Sequence, residues 1–337
     1  DPVIPDGALV GAYRVLGLIG RGGMGEVYRA ERINADYEQA VAVKVLRAGF
    51  GSHDLMRRFK AERRILARLT HPNIVSILDG GSADDGRPYL VMPFVEGVPI
   101  TQFCESHVPT LDARLQLFMQ VARAAQYAHT QLVVHRDIKP SNILVTRTGD
   151  VRLLDFGIAK LISDGDSPTG AETRSEVRLL TPEHAAPEQL RSEPVSTATD
   201  VYALGVLLYE LVTGTKPHRA AGRSLIELER AILETEPTPP SQVSSHAWAK
   251  AVRGDLDRIV LMALRKEPAR RYASAGQFAD DIERFLKGLP VSAERDHFGY
   301  RARKFIRRNR AAVVAGALSV AMLVTFSISM AWQARTI

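Results

Sequence analysis

Residues 135–142, which read HRDIKPSN, bring three side chains of complementary chemistry close together along the chain. Asp137 can accept a proton from a hydroxyl group, and Lys139 can neutralise a transferring phosphoryl group. Asn142 can ligate Mg²⁺ through its amide oxygen. The pattern indicates chemistry on a phosphate, although a polar turn after the run QLVV would use the same residue types.

A further carboxylate follows in the sequence LLDFG, thirteen residues after Asn142. Asp155 comes after the strand-like run VRLL, which itself follows a Gly149–Asp150 turn. Mg²⁺ needs only a carboxylate and an amide oxygen from the protein when nucleotide phosphates and water complete its shell. We therefore predict that Asn142 and Asp155 hold Mg²⁺ beside the reacting phosphate, with Mn²⁺ as the alternative ion.

Glycines recur at Gly20, Gly22 and Gly25, between two strand-like segments. A glycine-rich hairpin can lie over phosphates and offer them backbone N–H groups without obstruction by side chains. Dinucleotide-binding folds use the same spacing, but there the glycines lead into a helix, whereas GEVYRAER continues here as a strand. An ordinary turn remains the alternative for the hairpin taken alone.

Lys44 ends the alternating segment AVAVK, and Glu62 lies on the helical segment that follows. If that helix packs on the sheet, Glu62 can pair with Lys44 and direct its ammonium group towards the α- and β-phosphates. On spacing alone, Lys44 could instead be solvated. Glu62 could equally pair with Arg58 or Lys60 at the surface of the helix.

The segments around these residues predict a β-rich part followed by a helical part. Strand-like runs cover residues 13–20, 25–32, 40–46, 73–80 and 88–92, with one helix at 53–69. Helical patterns then cover 111–131, 200–214, 224–234, 255–265 and 274–288. We therefore predict an α+β fold of two lobes with a cleft between them.

The glycine-rich hairpin, VAVK, HRDIKPSN, DFG, APE and DVYALG follow one another in the order of the eukaryotic-type protein kinase signatures. The chain resembles bacterial transmembrane serine/threonine protein kinases over residues 13–289. The resemblance implies a bilobal kinase fold that uses ATP and Mg²⁺ to phosphorylate serine and threonine hydroxyls of protein substrates, its own activation loop included. It implies that the catalytic residues are Asp137, Lys139, Lys44 and Glu62.

The same resemblance implies an ATP site between the lobes. The adenine would contact the connection between the lobes, with Met92 as gatekeeper and backbone groups of Pro93 and Val95 bonding the base. Val27, Ala42 and Leu144 would sandwich the ring, although core packing is the alternative for these three. The full implied set is Ile19, Gly20, Gly22, Gly25, Val27, Ala42, Lys44, Met92, Pro93, Val95 and Leu144.

Further roles are implied by the resemblance alone. Thr181 would position the substrate hydroxyl, and Thr173 and Ser175 would be phosphorylated in the activation loop. Structural roles fall to Arg136, Asp200, Glu188 and Arg271, with Glu188 pairing with Arg271. The chain departs from the family pattern at Pro93, Leu180 and His184, which bears on substrate-loop details rather than on phosphoryl transfer.

Two other functions compete with a protein kinase. A catalytically silent, kinase-like receptor or scaffold would be favoured by loss of Lys44, Asp137, Asn142 or Asp155, and all four are present. A small-molecule phosphotransferase is disfavoured by the APE segment and Thr181, which the resemblance links to protein substrates.

The net charge of +6 is concentrated near the C-terminal end. Residues 291–310 contain seven cations against two acids, and residues 311–332 then contain no charge at all. A helix formed by these 22 uncharged residues would be long enough to cross a bilayer, so we predict a transmembrane helix. The alternative for the same residues is a helix buried in the protein core. The basic residues before this segment favour a single-pass protein of the inner membrane with its kinase domain in the cytoplasm. A homodimer is an option. Nucleic acid is not an expected partner, because the excess positive charge lies beside the predicted membrane segment.

These observations divide the chain into six parts. We predict a tail at 1–12, a small lobe and hinge at 13–95, and a large lobe at 96–289. A basic juxtamembrane segment at 290–310, a transmembrane helix at 311–332 and the start of an extracytoplasmic part at 333–337 complete the division.

Overall fold

The structure is a computed structural model that describes residues 4–22, 25–33, 40–47, 53–108, 110–156, 182–218, 224–294 and 298–333. Its first part is built on a six-stranded antiparallel sheet, and its second part is mainly helical. The predicted α+β fold of two lobes is confirmed.

The sheet of the small lobe has the strand order β1-β2-β3-β4-β6-β5. Its strands are β1 (Leu9–Val10), β2 (Tyr13–Gly22), β3 (Gly25–Arg32), β4 (Ala40–Leu46), β5 (Asp79–Ser82) and β6 (Pro88–Pro93). Because side chains alternate between the two faces of a strand, Ala42 and Lys44 share one face of β4 and Val43 and Val45 share the other. Val43 and Val45 belong to an outer core on which Ile4 packs.

The apolar run predicted as a strand at 73–80 forms a strand only in its last two residues. Ile74 instead makes a single parallel bridge to Leu153 of the large lobe, and the Val75 N–H donates to the Leu153 carbonyl at 3.0 Å. Ile74 and Ile77 pack in the core that both lobes share. The run is apolar because it crosses between the lobes, not because it lies within the sheet.

Helix α1 (His53–Leu66) is shorter than the predicted 53–69. Its buried side chains Phe59 and Leu66 contribute to the shared core. Arg63, in its last turn, donates to the Gly80 carbonyl of β5. The helix is therefore attached to the sheet at its C-terminal end.

Among the residues that the structure describes, the large lobe combines a small sheet with nine α-helices. The strands are β7 (Gly97–Pro99), β8 (Ile143–Thr146) and β9 (Val151–Leu153). The helices are α2 (Ile100–His107), α3 (Leu111–Thr130), α4 (Pro187–Leu190), α5 (Thr197–Thr213), α6 (Leu225–Glu234), α7 (Pro240–Val243), α8 (Ala249–Val252), α9 (Asp255–Ala263) and α10 (Ala275–Leu286).

Helix α5 is buried along nearly its whole length, because its sequence is apolar on almost every side. At Gly205 a side chain would collide with α9, since an added Cβ would lie 2.9 Å from the Cβ of Ala263. The helix ends at Gly214, whose φ of 72° is the left-handed conformation that glycine adopts without strain. Because α5 lies in the centre of the lobe, the residues of its first turn are held in a defined position.

Two further helices follow the large lobe, α11 (Phe298–Arg308) and α12 (Arg310–Gln333). Within the part of the chain that the structure describes, no helix combines the length and the apolar character needed to cross a membrane. The predicted transmembrane segment lies in α12, where Leu318, Met322 and Phe326 are each more than 60% exposed. The transmembrane assignment stays a prediction.

A buried ion pair joins α4 to the loop before α10. Arg271 donates to both carboxylate oxygens of Glu188 at 2.7 Å and also to the Ala198 carbonyl. Burial alone would raise the pKa of Glu188, but the hydrogen bonds and charge of Arg271 outweigh it and hold this pKa below the ordinary 4.5. The stabilisation from the pair is therefore complete at neutral pH and decreases as Glu188 is protonated in acid.

Arg271→Met should lower the free energy of unfolding by about 3–5 kcal/mol, because it leaves the Glu188 carboxylate buried without its partner. The neighbouring Arg270→Met is the matched control, since Arg270 is 62% exposed and its pair with Glu267 spans 3.7 Å. We expect the control to change stability by less than about 0.5 kcal/mol. Equal denaturant midpoints for the two variants would contradict this role of the buried pair.

Candidate active site

Asp137, Lys139 and Asn142 lie together in the structure. They follow α3 and end in a single turn of 3₁₀ helix at Pro140–Asn142. Lys139 Nζ lies 2.9 Å from Asp137 Oδ2, and Asn142 Nδ2 donates to the same oxygen at 2.9 Å and to the Asp137 carbonyl at 2.8 Å. The Asp137 side chain is 10% exposed, so it is sheltered but reachable.

Asp200, in the first turn of α5, holds the backbone of this stretch. Its carboxylate accepts the N–H groups of His135 at 2.7 Å and Arg136 at 2.8 Å, and lies 2.7 Å from His129 Nε2. Arg136 adopts a φ of 65°, which a non-glycine residue reaches only at a cost. The two N–H bonds to Asp200 offset that cost and keep the carbonyl of Arg136 in place, where Gln189 donates to it at 3.0 Å.

The segment after β9 is tied to the same stretch. The Leu154 N–H donates to the Asn142 carbonyl at 2.8 Å, and the Leu154 carbonyl lies 2.8 Å from His135 Nε2. Complete burial lowers the pKa of His135 despite the nearby carboxylates of Asp200 and Asp137, so the imidazole is neutral and can donate to that carbonyl. Asp155 and Asn142 are thereby held on neighbouring backbone segments.

Lys44 reaches across the cleft to Asp155. Its Nζ lies 3.0 Å from Asp155 Oδ1, and the two side chains are only 13% and 25% exposed. Asp155 adopts a φ of 50°, again a left-handed conformation for a residue with a side chain. The structure therefore brings the small-lobe lysine and the large-lobe carboxylate into one site.

Glu62 is not part of that contact. It is half-buried on α1, and among the described residues no ion pair joins it to Lys44. A cavity of about 520 Å³, open solvent included, lies between α1 and the sheet, and its lining includes Lys44, Leu66, Met92 and Phe156. The predicted pairing of Glu62 with Lys44 is not formed in this structure, and its role stays a prediction.

The donor set suits a magnesium ion. The described residues contain no cluster of three or more histidine, cysteine, aspartate or glutamate side chains arranged to hold a metal. Mg²⁺ does not need one, because it retains water and phosphate ligands. Asn142 directs its NH₂ group to Asp137, so its amide oxygen is not engaged there and can serve a cation together with the Asp155 carboxylate.

The residues predicted to contact the nucleotide come from both lobes. Ala42 pairs with Met92 across β4 and β6, and Val27 pairs with Lys44 across β3 and β4. Leu144, on β8, comes from the large lobe, while Ile19 is 48% exposed near the end of β2. Pro93 and Val95 are half-buried at the connection between the lobes.

The glycine-rich hairpin needs glycine at one described position for a clear steric reason. Gly25 has a φ of 150°, and an added Cβ would lie 2.1 Å from the Val45 carbonyl. By contrast, a Cβ on Gly22 would meet no atom within 4 Å, and one on Gly20 would only touch Val27. Because Gly20 and Gly22 have no side chains, they leave space beside the hairpin for the phosphates that it is predicted to cover.

Three predicted residues lie outside the described residues. These are the proposed activation-loop sites Thr173 and Ser175 and the substrate-positioning Thr181. Their assignments stay predictions.

Sequence reasoning missed Glu26, which fastens the hairpin. Glu26 is 5% exposed and accepts hydrogen bonds from Arg21 Nη2 at 2.6 Å and from the Tyr28 hydroxyl at 2.5 Å. Arg87, on the turn before β6, adds a longer contact at 4.0 Å. Burial favours the neutral acid, but the bonds from Tyr28 and Arg21 outweigh it and lower the pKa of Glu26. The sequence signal that could have identified Glu26 is a charged residue within a predicted strand. Residue spacing alone does not predict which side chains it bonds.

Glu26→Gln should raise the KM for ATP by up to about tenfold with little change in kcat, since ~1.4 kcal/mol of lost hairpin ordering corresponds to a factor of ten. Glu31→Gln on the same strand is the matched control, because Glu31 pairs with Arg14 at the surface at 3.3 Å. Steady-state kinetics at varied ATP concentration separate KM from kcat. Indistinguishable KM values for the two variants would remove the positioning role of Glu26.

Comparison with known proteins agrees with this geometry. Residues 13–281 match the family model described as protein kinase domain. The chain is 38% identical to serine/threonine-protein kinase pkn3 of Myxococcus xanthus, over 80% of this chain and 49% of that protein. It is 34% identical to serine/threonine-protein kinase PknB of Mycobacterium tuberculosis, over 83% of this chain and 44% of that protein.

A solved structure shows the same fold. The kinase domain of Mycobacterium tuberculosis PknI superposes with a TM-score of 0.63 at 27% identity, covering 85% of this chain and 100% of that one. The chain spans less than half the length of the curated relatives it matches, between 42% and 49% for three of them.

Proposed function

This chain belongs to the protein kinase family, and on that basis we propose that it catalyses ATP-dependent phosphorylation of serine and threonine hydroxyl groups on proteins. The observation that carries the proposal is the convergence of Asp137, Lys139 and Asn142 with Asp155 and Lys44 in one cleft. Relatives named as serine/threonine-protein kinases support the acceptor class.

Each of these groups has a defined part in the transfer. The acceptor oxygen forms a bond to the γ-phosphorus while the bond to the β–γ bridging oxygen breaks, and Asp137 takes the hydroxyl proton. Lys139 neutralises charge on the transferred group, and Lys44 holds the α- and β-phosphates. Asn142 and Asp155 would hold Mg²⁺, which neutralises phosphate charge when bound. Catalysis is then mainly positioning and charge stabilisation.

The alternative of a catalytically silent scaffold finds no support in these residues. Such a protein has no need to keep a proton acceptor, a phosphate-binding lysine and two metal ligands in contact. Here Lys44 contacts Asp155 at 3.0 Å, and Asn142 contacts Asp137 at 2.9 Å. The cleft thus holds side chains of the types that phosphoryl transfer uses, although the predicted pair of Lys44 with Glu62 is not formed.

Asp137→Asn should reduce phosphoryl transfer by about 10²–10⁴-fold, because the proton acceptor is lost while the amide keeps a similar shape. Binding of magnesium nucleotide should remain close to wild type, since Asn142 and Asp155 are unchanged. Transfer of radiolabelled phosphate to the protein and to a generic protein substrate measures the effect. Asp280→Asn, at an exposed pair with Arg123, is the control, and a transfer rate in Asp137→Asn equal to wild type would refute the assignment.

The kinase also phosphorylates its own activation loop under this proposal, at Thr173 and Ser175. Arg136 precedes the catalytic aspartate, so its guanidinium group can bind a phosphorylated side chain from that loop. Thr181 then positions the acceptor hydroxyl. Phosphopeptide mapping of active protein should find Thr173 or Ser175 modified, and a fully active protein with neither modified would exclude both.

The proposal includes a single-pass protein of the inner membrane with a cytoplasmic kinase domain. The 22 uncharged residues at 311–332, the cations immediately before them and the exposed apolar side chains of α12 support it. A homodimer would allow one copy to phosphorylate the other. The small residues Ala315 and Gly316 would allow two such helices to approach.

A further inference from the structure

The chain does not leave the large lobe where α10 ends. Asp281 is fully buried and accepts hydrogen bonds from the Ser292 N–H at 2.7 Å, the Ser292 hydroxyl at 2.8 Å and the Ala293 N–H at 2.9 Å. Glu294 then pairs with Arg258 of α9 at 2.5 Å. The described segment after α10 is therefore bound to the large lobe as far as Glu294.

Helix α11 is attached to the same surface by one of its sides. The Tyr300 hydroxyl donates to Asp255 Oδ1 at 3.1 Å and accepts from the Val291 N–H at 3.1 Å, and Lys304 pairs with the same aspartate. Burial is the main cause that raises the pKa of Tyr300 to about 12, so the hydroxyl stays protonated and able to donate. Since residues four apart share one side of a helix, Tyr300 and Lys304 together define the side that faces the lobe.

The other side of α11 carries apolar side chains without cover from the described residues. Each residue advances by about 100° around a helix, so Phe305 and Ile306 both project more than a quarter turn away from Tyr300. Phe305 is 55% exposed and Ile306 is 50% exposed. Residues 298–310 also contain six cations and no acid. An exposed apolar side on a strongly basic helix is typical of helices that lie in a membrane interface.

The charges favour an anionic lipid surface over a second copy of the chain. Two copies of this helix would bring five cations against five cations, which is repulsive. An anionic bilayer attracts the same cations and accepts Phe305 and Ile306 at the boundary between headgroups and acyl chains. Helix α12 begins at Arg310, directly after α11, so the proposed span would hold α11 at the bilayer surface.

We propose that α11 is an interfacial helix that binds anionic lipids through Phe305, Ile306 and its arginines, while Tyr300 and Lys304 keep it on the large lobe. The kinase domain is then held in one orientation, with the end of the lobe formed by α9 and α10 towards the membrane. The inference rests on the proposed membrane anchoring by residues 311–332.

The test places an environment-sensitive fluorophore on the full chain at Ile306→Cys. The native Cys104 is buried and its pKa is raised to about 11 by burial, so it stays largely unreactive at neutral pH. Ile226→Cys on α6 is the matched control, because Ile226 is an equally large apolar side chain that is 75% exposed on a different helix. Flotation and emission are measured with vesicles of neutral phosphatidylcholine and with vesicles that contain phosphatidylglycerol.

We expect the label at 306 to shift to shorter wavelength, and to be quenched by lipid-borne nitroxides, in the anionic vesicles and less at high salt. The label at 226 should not respond. Flotation with both vesicle types but equal responses at 306 and 226 would overturn the α11 proposal and leave the anchor intact. Flotation with anionic vesicles alone would refute the anchor, and a response confined to the label at 306 would then support lipid binding by α11 without a span. A failure to float with either would overturn both.

Two further responses of the label at 306 would contradict binding of α11 to anionic lipids. A blue shift that grows with protein concentration without vesicles would show that a second copy covers this side, and would overturn the lipid assignment. Equal shifts in neutral and anionic vesicles would overturn the role given to the cations.

Discussion

The buried carboxylate of Asp200 holds the catalytic stretch in its conformation, and much of the site depends on it. It satisfies two N–H groups of a backbone in which Arg136 has a left-handed φ, a conformation that costs about 1–3 kcal/mol by itself. Helix α5 is buried on almost every side, so Asp200 has little freedom to move. The position of Asp137 follows from this anchorage, and Asn142 and Lys139 are placed by their contacts with Asp137.

The two lobes meet through the core that they share and through the backbone bridge between Ile74 and Leu153. At the cleft, the ion pair between Lys44 and Asp155 adds a direct polar contact. The Lys44 ammonium group lies against the carboxylate of Asp155, which would hold Mg²⁺ together with Asn142, and Lys44 would hold the α- and β-phosphates of a bound nucleotide. Helix α1 takes no part in this ion pair, because among the described residues no ion pair joins Glu62 to Lys44.

Local patterns predicted the parts of the fold that depend on local constraints. The alternation in AVAVKVL and the glycine spacing fixed β4 and the hairpin, and the order of the motifs indicated two lobes. The apolar run at 73–80 misled the strand prediction, because periodicity cannot distinguish burial in a sheet from burial between lobes. Glu26 was missed because the sequence pattern does not show that its side chain is buried, even though its partners Arg21 and Tyr28 are close in sequence. Lys44 contacts Asp155 rather than Glu62 because of the position of helix α1 relative to the sheet. The spacing of residues in the sequence does not predict that position.

The central claim is that residues from both lobes converge on the terminal phosphate of one magnesium-bound nucleotide. A crystal structure of the chain with Mg²⁺ and a non-hydrolysable ATP analogue tests it most directly. The account predicts a metal ion between the Asn142 amide oxygen and the Asp155 carboxylate, Lys44 on the α- and β-phosphates, and the γ-phosphate beside Lys139 and Asp137. A nucleotide bound outside the cleft, or a metal ion that contacts neither Asn142 nor Asp155, would contradict it.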